Sequence, residues 1–219
     1  MNIPVGIIQQ ANNGGGGITL VGSIQTRSST SVSLSSLSLE ENDIVFVAST
    51  SDYKDTDLSL SGYTFVYEII NHEGLLNMVS ATLQYKVMGS VPDTQITDLN
   101  SDSKCCHIVF AIRDADPVTY DATYAYNYSD RHLPDPPDVT TEYDKSWVFA
   151  GGHLDDDRIS MTAPSGFTLV DAYYSVSAGA AVAVAYQLKS VAGEVSIGSF
   201  GGSGSDANIG ASFAIRPKL

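Results

Sequence analysis

The residues able to do acid–base, nucleophilic or metal chemistry in this chain are few and scattered. Its four histidines, His72, His107, His132 and His153, show neither the i, i+4 nor the His-x-His spacing that offers two imidazoles to one zinc ion. Cys106 and His107 are neighbours, and adjacent residues on a strand point to opposite faces, so they make no thiol–imidazole dyad there. No Gly-x-Ser-x-Gly elbow and no phosphate-binding glycine loop precede a helical pattern. Gly201-Gly202-Ser203-Gly204 reads as a turn between strands. A Ser/His/Asp triad is assembled from distant residues and leaves no spacing to read, and nothing here points to one. The densest carboxylate run, Asp155-Asp156-Asp157, lacks the alternating Asp-x-Asp-x-Asp-Gly spacing of calcium loops and reads as a solvated acidic turn. The expectation is a non-enzymatic protein with no catalytic residue, no metal and no cofactor.

What remains is the chemistry of surfaces. Tyr124, Tyr126 and Tyr128 alternate, so an extended chain puts all three on one face, a row suited to covering a sheet edge, to an interface or to stacking on sugar rings. At the front, Ile3, Pro4, Val5, Ile7 and Ile8 are followed by Ala11-Asn12-Asn13 and four glycines, Gly14 to Gly17. Ordering a glycine run costs more backbone entropy than any other sequence, so this run reads as a joint. Residues 1–17 are therefore expected as an extended anchor arm that buries its aliphatic side chains in a neighbouring subunit.

The elements that position these residues are strands. Of 219 residues, 43% are hydrophobic and only 16% charged, which is a folding composition and not that of an acidic tail. Ser, Thr, Val, Tyr and Gly favour strands with small-residue turns. Lys plus Arg is 11 against 25 Asp plus Glu, a net charge of −14, which argues against nucleic acid and against an anionic membrane. The first residues have neither a basic region nor a long apolar stretch, so no export signal is expected. Cys105 and Cys106 are expected as two reduced thiols, one of them in the core.

Period-two patterning begins at Ile18 and slips phase at Ser35-Ser36, where a bulge or turn is expected. Ile44 to Ala48 is apolar on both faces, and Tyr63–Tyr67, Ala81–Val87 and His107–Ile112 follow as strands. A repeat organises them. Phe110-Ala111-Ile112-Arg113 recurs as Phe213-Ala214-Ile215-Arg216 at an offset of 103 residues. Val45-Phe46 matches Val148-Phe149, Ser61-Gly62-Tyr63-Thr64 matches Ser165-Gly166-Phe167-Thr168, and Tyr85 matches Tyr186, all at nearly the same offset. The expected architecture is an all-β, jelly-roll-like β-sandwich built from two pseudo-repeated halves and preceded by the arm: 18–114 the first half, 115–146 a Tyr- and Pro-rich connection, 147–219 the second. The halves either make two small sandwiches or share one, and one is preferred because half-units this small bury little core. Both halves are expected to place acidic turns, Asp52 to Asp57 and Asp155 to Asp157, at the same end.

The strand beginning Asn42-Asp43-Ile44-Val45-Phe46, the Ser-Gly-aromatic-Thr hairpins, the strand carrying Tyr186-Gln187-Leu188-Lys189 and the final Ala-Ile-Arg strand together resemble a broad group of bacteriophage β-sandwich virion proteins. The front, MNIPVGIIQQ with its glycine spacer, resembles the Ile-Pro-x-Gly-Ile leader of marine phage virion proteins. The resemblance implies a virion component made in the host cytoplasm and fixed to the particle by its leader, either a capsid decoration or head-fibre protein or a tail-associated subunit. The implied partners are other virion proteins and further copies of the chain, with a trimer as the first expectation. A carbohydrate-binding module of a host-recognition fibre, using the tyrosine row on a surface glycan, is the alternative.

Overall fold

The computed structural model describes residues 17–52, 57–70, 79–129, 132–155, 161–174, 179–202 and 206–218. The structure is all-β, with fourteen strands and one short 3-10 turn, Ser35–Leu37, among these residues. The strands of the first half are β1 (Thr19–Arg27), β2 (Ser31–Ser33), β3 (Ile44–Ser51), β4 (Thr64–Ile70), β5 (Ser80–Val87), β6 (Gln95–Thr97) and β7 (Cys105–Arg113). The second half repeats them as β8 (Ala115–Ser129), β9 (Val139–Thr141), β10 (Ser146–Leu154), β11 (Thr168–Tyr174), β12 (Ala181–Lys189), β13 (Gly193–Val195) and β14 (Asn208–Pro217).

The duplication holds strand by strand. The first large sheet has the order β1-β7-β3-β5-β4, and the second, β8-β14-β10-β12-β11, is the same order advanced by seven. Within each half the antiparallel pairs are nested: β1 with β7, β2 with β6 and β3 with β5, then β8 with β14, β9 with β13 and β10 with β12. Such nesting is a hairpin rolled upon itself, the winding of a jelly roll. The segment expected as a connection, 115–146, carries β8 and β9, so it is the opening of the second half. Outside the tyrosine row, its prolines and aspartates interrupt the apolar alternation that marks the other strands. The phase slip at Ser35-Ser36 falls on the 3-10 turn, after which Ser38 takes a left-handed backbone with φ 47°.

The repeated tetrapeptide shows how each sheet is used on both sides. Phe110 and Ile112, like Phe213 and Ile215, point into the core shared by the two large sheets, while Ala111 and Ala214 point outward to the small sheet of their own half. Arg113 then caps the first half with a bidentate pair to the buried Asp43, Nε–Oδ1 2.8 Å and Nη2–Oδ2 2.9 Å, and reaches Glu40 at 2.8 Å. Arg216 pairs with Asp116 and lies 4.8 Å over the Tyr143 ring. The Arg that closes each repeat is a fork for a carboxylate, a role a flexible lysine would fill less well.

At the centre, Phe46, Phe110, Phe149 and Phe213 form a four-ring cluster across the sheet interface. Phe46 stacks on Phe110 and Phe149 on Phe213, each at 4.9 Å, and Phe46 lies 6.1 Å from Phe149. Because Phe46 faces Phe149 and Thr50 faces His153 four residues further on, β3 and β10 run in the same direction. Their following loops therefore leave from one end of the sandwich. Asp52, Asp57 and Asp155 belong to those loops, whereas Asp55, Asp156 and Asp157 lie outside the described residues.

On the outer face of the second sheet, the Pro134–Pro137 loop lies directly on Gly210. A Cβ at Gly210 would sit 2.5 Å from the Asp135 carbonyl carbon and 2.6 Å from the Pro136 nitrogen. The loop is held by Asn127 Nδ2 donating to Asp135 O at 3.0 Å, Ser212 Oγ to Pro137 O at 2.7 Å and the Phe200 amide to Pro134 O at 2.9 Å. Gly210→Ala is expected to lift this loop and lower stability by about 1–3 kcal/mol, the usual cost of overpacking against backbone. Urea unfolding checks it; an unchanged midpoint would show that the loop adapts freely.

Candidate functional site

The anchor residues Ile3, Pro4, Val5, Ile7 and Ile8 lie outside the described residues. The tyrosine row is described, on β8, the edge strand of the second sheet. Its inward face pairs with that of β14: Tyr128 stands opposite Ile209 and Tyr126 opposite Ala211, both core residues. Tyr124 reaches across the gap between the sheets to Tyr67 on β4, ring centroids 5.9 Å apart, and Tyr120 meets Tyr85 at 6.3 Å. Tyr128 packs against the shared core, while Tyr124 and Tyr126 keep 44% and 50% of their surface exposed. The row thus both covers the sandwich edge and presents two rings to solvent.

The opposite edge is closed by other means. There β1 faces β11, and Ser23 Oγ donates to Asp171 Oδ2 at 2.9 Å while Gln25 Nε2 donates to Asp171 Oδ1 and, at 3.0 Å, to Ala172 O. The registers make the comparison residue by residue. Tyr67 lies opposite Leu83 just after the β4 register shift, and Asp171 lies opposite Val184 just after that of β11. Gln25 opposes Ile108 and Tyr126 opposes Ala211, positions one repeat apart. One edge is therefore clasped by a carboxylate and amide, and the other is lined with tyrosine.

Two histidine pairs lie inside. His153 is fully buried; its Nδ1 is 2.6 Å from Thr50 Oγ1 and its Nε2 2.7 Å from Tyr67 OH. Gly151 makes the space, since a Cβ there would stand 2.6 Å from the Tyr67 hydroxyl. A neutral imidazole donates from one nitrogen and accepts at the other, so it satisfies both hydroxyls. Burial pushes the His153 pKa down to about 3 and raises that of Tyr67. On the outer face of the first sheet, His107 Nδ1 is 2.8 Å from Ser49 Oγ and its Nε2 lies 2.9 Å from the Asn100 carbonyl. Burial lowers this pKa too, partly offset by the backbone bond to Asn100.

These pairs have the atoms of a nucleophile and its base, and were missed by sequence reading because their members lie far apart in the chain. Their placement defines a different role. Ser49, Thr50, His107 and His153 are each at most 1% exposed, so they join strands and sheets inside the fold. Cys106 points inward and donates to Ala180 O at 3.3 Å, while Cys105 is buried on the other face; both thiols are free. Burial holds both thiol pKa values up, which makes them poor nucleophiles. Among the described residues no three His, Cys, Asp or Glu side chains gather as a metal site.

Fold and site together define a duplicated jelly-roll sandwich with a tyrosine-lined edge. Comparison with known proteins finds no matching family, no matching curated protein and no matching solved structure.

Proposed function

We propose that this chain is a non-enzymatic structural subunit of a bacteriophage virion, a capsid decoration or head-fibre protein or a tail-associated subunit, fixed to the particle by residues 1–17. The observation that carries the reading is the use of the chain's nucleophile-like groups. Ser49 with His107, and Thr50 with His153 and Tyr67, are consumed in bonds that tie the sandwich together. A body so built presents a rigid, acidic surface, and its charge of −14 favours protein partners in the particle over the packaged genome. The sequence resemblance of the leader and the repeated strands to phage virion proteins supplies the particle.

Deleting residues 1–17 is expected to leave the body folded, with unchanged far-UV circular dichroism and melting temperature, while incorporation into particles is lost. Co-sedimentation of full-length and truncated protein with particles reads this directly. Equal incorporation of the two would overturn the anchor.

A further inference from the structure

We propose that the outer edge of β8, over residues 125–129, pairs antiparallel with the same segment of a second copy, making a two-fold dimer with one continuous sheet. The inference stands apart from the virion reading and concerns any state in which the body is free.

The four edge strands of the two large sheets differ in how they are guarded. β1 shifts register between Leu20 and Gly22 and ends on Arg27; β4 shifts between Phe65 and Tyr67 and carries the exposed Glu68; β11 shifts between Leu169 and Asp171 and holds the Asp171 carboxylate inward. Bulges, charges and inward carboxylates are the devices that keep sheet edges from pairing. β8 is different. At 15 residues it is the longest strand, and residues 123 to 127 are exposed without a break. Its register shifts lie opposite Ser212 to Pro217, so Ala125 to Ser129 runs regularly against Ser212 to Asn208. From Ala122 to Ser129 it has no charged residue, in a chain of net charge −14. Two such acidic bodies repel over most of their surface, and an uncharged edge is where they can approach.

The occupant follows from the sequence of this edge. Ala125-Tyr126-Asn127-Tyr128-Ser129 is nearly its own mirror about Asn127. Paired antiparallel with itself, it sets Tyr126 opposite the second copy's Tyr128 twice over, with Asn127 facing its own copy on the axis. Aromatic cross-strand pairs are among the favourable ones, and no like charges oppose. An isologous contact of this kind closes at two copies. It is thus distinct from a three-fold assembly through the arm.

Sedimentation of the full chain up to about 0.1 mM, a range that captures micromolar dissociation constants, is expected to show a dimer. Tyr126→Lys, at a half-exposed position, is expected to leave a folded monomer by circular dichroism. Asn127→Cys is expected to form a cross-linked dimer on mild oxidation, because directly opposed residues stand about 4.5–5.5 Å apart, within disulfide reach; Cys105 and Cys106 are buried and do not compete. The proposal is overturned by a wild-type chain that stays monomeric, including one whose Tyr126 instead proves to bind glycans. It is equally overturned by a dimer that survives Tyr126→Lys and gives no cross-link at position 127.

Discussion

Lowering the pH from 7 to 4.5 is expected to remove about 2–3 kcal/mol of stability through His153 alone. In the folded protein burial holds this imidazole neutral down to about pH 3, whereas in the unfolded chain it titrates near the ordinary value of about 6.5. Above pH 6.5 neither state carries the proton and the group contributes no pH dependence. Below it the unfolded chain gains a proton that the folded chain refuses, so stability falls by about 1.4 kcal/mol per pH unit until the folded group also titrates. The lowered pKa of His107 acts in the same direction. Urea unfolding at a series of pH values reads the slope. His153→Gln should flatten the slope while lowering stability at pH 7 by about 1–3 kcal/mol, because Thr50 and Tyr67 lose their fitted partner. A wild-type stability that is flat from pH 7 to 4.5 would show that protonated His153 is accommodated.

The repeat was the legible part of this fold. Each Phe-Ala-Ile-Arg tetrapeptide carries its own two-faced pattern and its own ion pair, so both copies announce themselves locally. The strand β6 is only three residues long and has no period to read. β8 carries Asp116, Pro117 and Asp121 among its tyrosines, residues that look like linker but here make an edge strand with Asp121 accepting from the Glu142 amide at 2.7 Å. The tyrosine row was readable because period two is a property of the strand itself. The histidine pairs were not, since Thr50 and His153 are 103 residues apart and meet only because the two halves face each other along the same direction. Repeat spacing located the equivalent positions, but only packing of one half on the other makes them neighbours.

That packing sets the second large effect. Phe149→Ala is expected to cost about 3–5 kcal/mol, the range for removing a buried ring, and Phe46→Ala a similar amount. Phe149 is fully buried and stacks on Phe213 at 4.9 Å, with Phe110 at 5.8 Å and Phe46 at 6.1 Å across the interface. Two of its five aromatic neighbours, Phe46 and Phe110, therefore belong to the other half of the chain. Each large sheet hides its inner face only against the other, so a half that opened alone would expose that whole face to water. Unfolding in guanidinium is expected as one transition that both substitutions move together, and the pair should be non-additive by more than about 0.5 kcal/mol, as for residues in contact. Phe65→Ala, at an exposed edge position, should stay within about 0.5 kcal/mol of wild type. Two separate transitions, each moved only by the substitution in its own half, would mean that the duplicated rolls are independent folding units and that the four-ring cluster joins them without coupling them.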